Sequence, residues 1–260
     1  MQRRQLLLGG AGFLVLSGCA SADGMGVGQA AAAAPSAATL GEEAAIARAV
    51  LPRQTPRAEL LQEWTGAHGG TPPFDRATPA KVREAILEGI ELQRAEIAAI
   101  ANNPDAPTFA NTSVAMQMAG EPLDRVMSVF GVMTSNIGGD EWEALDSEVS
   151  PLLSAASDEI TFNEALFARI KAVADGAQAA GLNPQQTRIA TRARDAYVRN
   201  GAALDAAGKA ELGRINTALS NAFTRFGQKV VADENSWTLI PNEAGVRGLP
   251  ASNKTAAAAA

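Results

Sequence analysis

The sequence predicts an all-α fold, and three observations carry that prediction. About a fifth of the 260 residues are Ala while aromatics make up 5%, a balance that favours helix formers over the β-branched and aromatic residues that fill sheets. Past Thr78, apolar residues recur at steps of three and four, with no sustained period-two alternation. Capping residues followed by Pro open two of the periodic stretches, at Thr78-Pro79 and Asn183-Pro184, as helix N-termini favour.

In chain order, the first segment is an address. Arg3 and Arg4 precede an apolar stretch from Leu6 to Leu16, too short to span a bilayer but fitting an export signal. It ends in Leu16-Ser17-Gly18-Cys19, which resembles a bacterial lipobox, where small residues fit the lipoprotein signal peptidase and the Cys thiol accepts diacylglycerol. Residues 1–18 are therefore expected to be a lipoprotein signal peptide. Cys19 is expected to be the lipidated first residue of a mature protein anchored in the bacterial cell envelope, facing the periplasm or the cell exterior. The plainer alternative is an unlipidated secretory signal with a chance Cys. Gln2-Arg3-Arg4-Gln5-Leu6-Leu7 also partly resembles a twin-arginine signal, but ordinary signals begin with positive charge too, so both export routes stay open. Residues 19–39, rich in Ala with Pro35-Ser36, are expected to form a disordered tether. Residues 40–260 are expected to form the helical lobe.

Within that lobe, Val82, Ile86, Ile90, Gln93, Ile97 and Ile100 make one stripe with a single polar break. It predicts a helix from Pro79 to Ala101, stopped by Asn102-Asn103-Pro104, with Glu84, Glu88, Glu91, Arg94 and Glu96 mostly on a solvated face. A second helix is expected from Thr112 to Ser135, kinked or split at Glu121-Pro122. Further helices are expected at Glu141–Ala156, Asn163–Ala174 and from Pro184 to Asn200. The longest runs from Ala202 to Val231, with Leu204, Gly208, Leu212, Ile215, Leu219, Ala222, Phe226 and Val230 on one stripe. Gly208 and Gly213 weaken it locally and permit close helix approach. Trp237 to Ile240 is the one plausible strand, too short to stand alone. The closing Asn253-Lys254-Thr255 and five alanines read as a helix start with no stop signal.

Composition also excludes functions. A net charge of −6 and the absence of a basic stripe interleaved with aromatics argue against nucleic acid as a partner. One His (His68) and one Cys (Cys19) cannot build a two-His zinc site, a disulfide or a Cys/His pair. No phosphate-binding glycine loop, dinucleotide fingerprint or nucleophile elbow is present. No catalytic residue and no metal ligand is assigned. His68, in Gly66-Ala67-His68-Gly69-Gly70, reads as an exposed loop residue before it reads as a metal ligand. The pairs Glu141/Glu143, Asp158/Glu159 and Asp233/Glu234 read as surface acids before acid–base catalysts. Met116, Met118, Met127 and Met133 read as core filler before a soft binding groove. Asn111-Thr112-Ser113 matches a glycosylation acceptor and is read as a helix cap.

Several stretches together resemble the N-terminal region of the peptidyl-dipeptidase and thimet-oligopeptidase family of zinc metallopeptidases. They are Gly70-Thr71-Pro72-Pro73-Phe74-Asp75, the run from Asn103 to Thr112, Leu123-Asp124-Arg125-Val126, Phe162 to Phe167, Gly201 to Leu204, Phe226 to Glu234 and Gly248-Leu249-Pro250. The resemblance covers about Trp64 to Ala260, and Lys229, where the family pattern has Asn, is a small departure. The resemblance implies the N-terminal lobe of a two-lobed helical enzyme whose channel admits short peptides to zinc. The His-Glu-x-x-His helix that holds zinc in that family has no counterpart in this sequence. The expectation is a partial, lipid-anchored oligopeptidase: inactive by itself, with zinc and the catalytic machinery in an absent C-terminal lobe. The complete form would remove C-terminal dipeptides from short peptides. The alternative is a stand-alone helical lipoprotein that binds peptides or a protein partner.

Overall fold

A computed structural model describes residues 37–65, 70–236 and 245–259, and every regular element among them is helical. In chain order the helices are α1 (Ala37–Val50), α2 (Pro79–Ala101), α3 (Ala115–Met118), α4 (Glu121–Val132), α5 (Asp140–Phe162), α6 (Glu164–Asp175), α7 (Pro184–Arg199), α8 (Ala206–Ser236) and α9 (Ala251–Ala259). Short 3-10 turns lie at Glu59–Leu61 and Phe74–Arg76, and wider π-helical turns at Phe109–Val114 and Met133–Ile137. The described residues divide after Asn221 into two compact units.

In the first unit α2 is the spine. Thr78 caps it by accepting a hydrogen bond from the Lys81 amide, and Pro79 takes the first turn, where its missing N–H costs nothing. Val82, Ile86, Ile90, Ile97 and Ile100 are buried as their spacing predicts. The N-terminal half of α2 packs against α4, α5 and the turn at Glu59–Leu61, in a cluster that includes Leu60, Leu61, Leu123, Val126, Phe130, Trp142 and Val149. Its C-terminal half meets α1, α3 and α6 through Ala47, Ile97, Ile100, Ala115, Leu166 and Ile170. A smaller cluster joins Val173 and Ala174 of α6 to Ala190 of α7, with Phe109 and Leu182 against it. Each fully buried aliphatic side chain contributes about 1.5–3 kcal/mol of transfer free energy, which makes these clusters the dominant stabilising term.

Several expectations are corrected. Helix α1 begins inside the stretch expected to be a disordered tether, because Ala47 is fully buried in the second cluster and Val50 and Leu51 pack against it. The expected second helix is split at Glu121-Pro122 as its sequence indicates, because Gly120 at φ 91° ends the segment carrying α3 and Pro122 lies in the first turn of α4. A Cβ on Gly120 would meet the flexible end of the Gln93 side chain of α2, so the left-handed backbone is what favours Gly there. Helix α5 extends past Ala156 to Phe162 and carries Pro151 inside it. The π-helical turn at Phe109–Val114 is capped by Thr108, so Asn111 is not the cap but the third residue of the turn. Glu96 is buried and Glu88 nearly so, contrary to the solvated face expected for them. Of Gly208 and Gly213 in α8, Gly213 faces Asp158 and Phe162 of α5, whereas the nearest atoms to Gly208 belong to the adjacent Leu204 and Asp205. The expected strand at 237–240 lies outside the described residues.

Candidate functional site

The best-built polar feature lies where Asn103–Thr112 crosses α6. Asn163 caps α6 by accepting from the Leu166 amide at 2.9 Å. Leu166, Ile170 and Val173 then face the core at helical spacing, and Arg169 shares their side, buried to 6% exposure. One terminal nitrogen of Arg169 donates to the carbonyls of Asn103 (2.8 Å) and Asp105 (3.0 Å), while the other donates to Asn111 Oδ1 (2.9 Å). Asn111 Oδ1 also accepts from the Thr108 amide at 2.8 Å and from Thr112 Oγ1 at 3.0 Å. Asn111 Nδ2 donates to the Ala106 carbonyl at 2.9 Å, and the Asn111 amide donates to Thr108 Oγ1 at 3.1 Å.

This is a structural knot. Burial pushes the Arg169 guanidinium below its ordinary value, with the Asp105 charge pushing back, and a guanidinium so placed stays charged throughout the usable pH range. It offers donors and no base. Asn111 is buried with its amide engaged, so the folded chain does not present Asn111-Thr112-Ser113 to a glycosylating enzyme.

Two carboxylates repeat the theme. Glu88 accepts from the Arg57 and Ala58 amides at 2.7 and 2.9 Å, fixing the chain just before the turn at Glu59–Leu61. Burial raises its pKa, but those two donors and the Arg57 charge outweigh it and leave the group below its ordinary value. Glu96 accepts from the Gly120 amide at 2.7 Å at the α3–α4 break. There burial prevails over that donor and, with the Glu121 charge adding to it, holds Glu96 above the ordinary carboxylate range. Arg125 completes this framework by donating twice to the Leu61 carbonyl, at 3.2 and 3.0 Å.

Of the acidic pairs, Asp158 and Glu159 turn to different partners. Asp158 accepts from Asn216 at 2.7 Å, while its neighbour Glu159 turns to Arg94 at 2.8 Å. Glu141, Asp233 and Glu234 are exposed. The four methionines behave as filler: Met127 and Met133 lie against the first cluster, Met116 and Met118 against the second. A cleft of about 180 Å³ between α2 and α5, with Ile90, Gln93 and Ile160 on its walls, is smaller than a ligand-sized pocket. Among the described residues no group of three or more His, Cys, Asp or Glu side chains could hold a metal ion. Arg3, Arg4, Leu16, Ser17, Gly18, Cys19 and His68 lie outside the described residues.

Arg169, Glu88 and Glu96 are the polar residues that sequence reasoning missed. Arg169 had a readable signal, since it sits among Leu166, Ile170 and Val173 on the buried stripe. Glu88 and Glu96 had none, because their backbone partners come from loops 24 to 31 residues away.

The chain is 38% identical over 172 residues to a protein of Escherichia coli K12 called dipeptidyl carboxypeptidase, a match covering 66% of this chain and 25% of that protein. The Salmonella typhimurium protein of the same name is 37% identical over 190 residues, covering 73% of this chain and 28% of the relative. Oligopeptidase A of Salmonella typhimurium is 26% identical over 189 residues, with shares of 72% and 28%. The chain thus spans about a quarter of the length of these curated relatives. No protein-family model matches it.

Proposed function

We infer, from this chain's relation to the peptidyl-dipeptidase and thimet-oligopeptidase family, that it forms a helical, non-catalytic lobe of a peptide-cleaving protein. The observation that carries this reading is the identity of 37–38% to two dipeptidyl carboxypeptidases across most of the chain. The knot of Arg169 and Asn111 supports it, because it rigidifies Asn103–Thr112, one of the stretches on which the resemblance rests. In this reading the lobe restricts substrates to short peptides by its shape. Zinc, which has no fitting donor set among the described residues, is held in the length that the relatives have beyond the match, and the chain alone cleaves nothing. The proposal extends to export: the signal ending at Gly18 is removed, and lipid on Cys19 anchors the protein in the cell envelope.

The test is complementation in trans. The remainder of the Escherichia coli dipeptidyl carboxypeptidase, lacking its matched segment, is combined with this full chain, and release of a C-terminal dipeptide from an N-blocked tetrapeptide is followed. Neither component should act alone and the mixture should. Stoichiometric zinc binding and cleavage by the purified chain itself would overturn the assignment of chemistry to the other portion. For the anchor, Cys19→Ala should move the protein from the membrane fraction to the soluble one; an unchanged distribution refutes lipidation.

A further inference from the structure

Helix α8 leaves part of its apolar stripe uncovered. Two of the contacts that hold its first half to the body are polar: Lys209, only 9% exposed, reaches Glu164 at 3.0 Å, and Asn216 donates to Asp158 at 2.7 Å. Gly213 faces Phe162, and Leu212 rests over Gly201. Ile215 and Leu219, one turn apart on the stripe that the spacing marks as a core face, are 45% and 49% exposed. In the second unit Phe223 and Phe226 of the same helix are exposed as well, at 43% and 66%. A surface helix ordinarily buries its apolar stripe, and a clustered exposed one marks an interaction site.

We propose that the apolar face of α8 carrying Ile215 and Leu219 is a docking surface for the rest of a dipeptidyl carboxypeptidase-type protein, and that it meets an apolar patch there. Length argues for this occupant. The relatives carry about three quarters of their length outside the match, and a helical lobe within a longer chain needs a face that the remainder covers. Among the described residues of the first unit, Ile215 and Leu219 are the one pair of exposed large apolar side chains that lie a single turn apart on one helix. The inference rests on the reading above, and it assigns to α8 the contact through which the lobe would be fixed to the catalytic portion.

The experiment uses the full chain and the same Escherichia coli remainder, with Ile215→Glu/Leu219→Glu as the test variant. Ile137→Glu, at a 67% exposed position outside α8, is the control. Circular dichroism and thermal melts of all three proteins establish that each keeps the helical fold. Binding is read by sedimentation velocity and activity by dipeptide release. The double variant is expected to bind roughly 100-fold more weakly, because it loses the burial of two aliphatic side chains, and to lose activity in proportion, with the control like the unmodified chain. Cleavage by the mixture that proceeds at the same rate with the double variant as with the unmodified chain overturns the docking face and leaves the peptidase reading intact. Binding abolished by the double variant in a mixture that never cleaves supports the docking face and overturns the peptidase reading. Absence of binding by the unmodified chain overturns the proposal, as does a homodimer that the double variant disperses, which makes a second copy the occupant.

Discussion

Arg169→Met isolates the knot, because Met retains the aliphatic bulk and deletes the guanidinium. Three hydrogen bonds with a charged donor are lost, worth about 1.5–3 kcal/mol each when taken singly. The full sum overstates the cost. Asn103 is half-buried and Asp105 exposed, so their carbonyls can turn to water, and Asn111 Oδ1 keeps the Thr108 and Thr112 donors. Deleting the guanidinium also removes its own desolvation penalty. The expected net loss is about 2–4 kcal/mol, which for a domain of this size lowers Tm by roughly 4–16 °C. Urea unfolding followed by circular dichroism measures the loss. Amide exchange at Asn111 and Thr112 locates it, since those amides should lose protection before the core of α2 does. Arg169→Lys should recover less than half the stability, because an ammonium cannot span the three acceptors that the planar fork reaches. A loss under about 0.5 kcal/mol for Arg169→Met, far below the value of one charged hydrogen bond, would show that the loop holds itself and refute this reasoning.

Two further outcomes follow from the α3–α4 break. Glu96 has a folded-state pKa above its ordinary 4.5, through burial first, so the folded chain holds that proton to higher pH than the unfolded one. Its contribution to stability therefore falls as pH rises from 4.5 through the folded value. Glu96→Gln, which can still accept from the Gly120 amide, should flatten that part of the stability–pH curve, and a variant with the wild-type slope in urea titrations between pH 4 and 8 would contradict the assignment. Gly120→Ala combines a left-handed backbone with contact on the flexible end of the Gln93 side chain; it should cost more than about 1 kcal/mol, and a neutral result would mean that Gln93 swings clear and the backbone relaxes.

The elements legible in the sequence are those whose information is local. The Thr78-Pro79 and Asn183-Pro184 starts and the stripe of α2 need only neighbours within a few residues, and the structure places them as their spacing indicates. What escaped depends on partners distant in sequence. Helix α1 lacks a strong stripe of its own and is held through Ala47 against Ile97, Ile100 and Leu166. Glu88 and Glu96 look like solvated acids until backbone N–H groups from other segments arrive to meet them. Arg169 lay between these cases, visible as a charge on a buried stripe yet silent about which carbonyls it would hold. Helix α8 was legible in its period but not in how far its stripe is covered. Spacing alone says that Ile215 and Leu219 share a face, and only the packed neighbours show that Asn216 and Lys209 occupy the inward side. An apolar stripe read from sequence therefore specifies that something covers it, and whether the cover belongs to this chain or to another polypeptide has to be read from the fold.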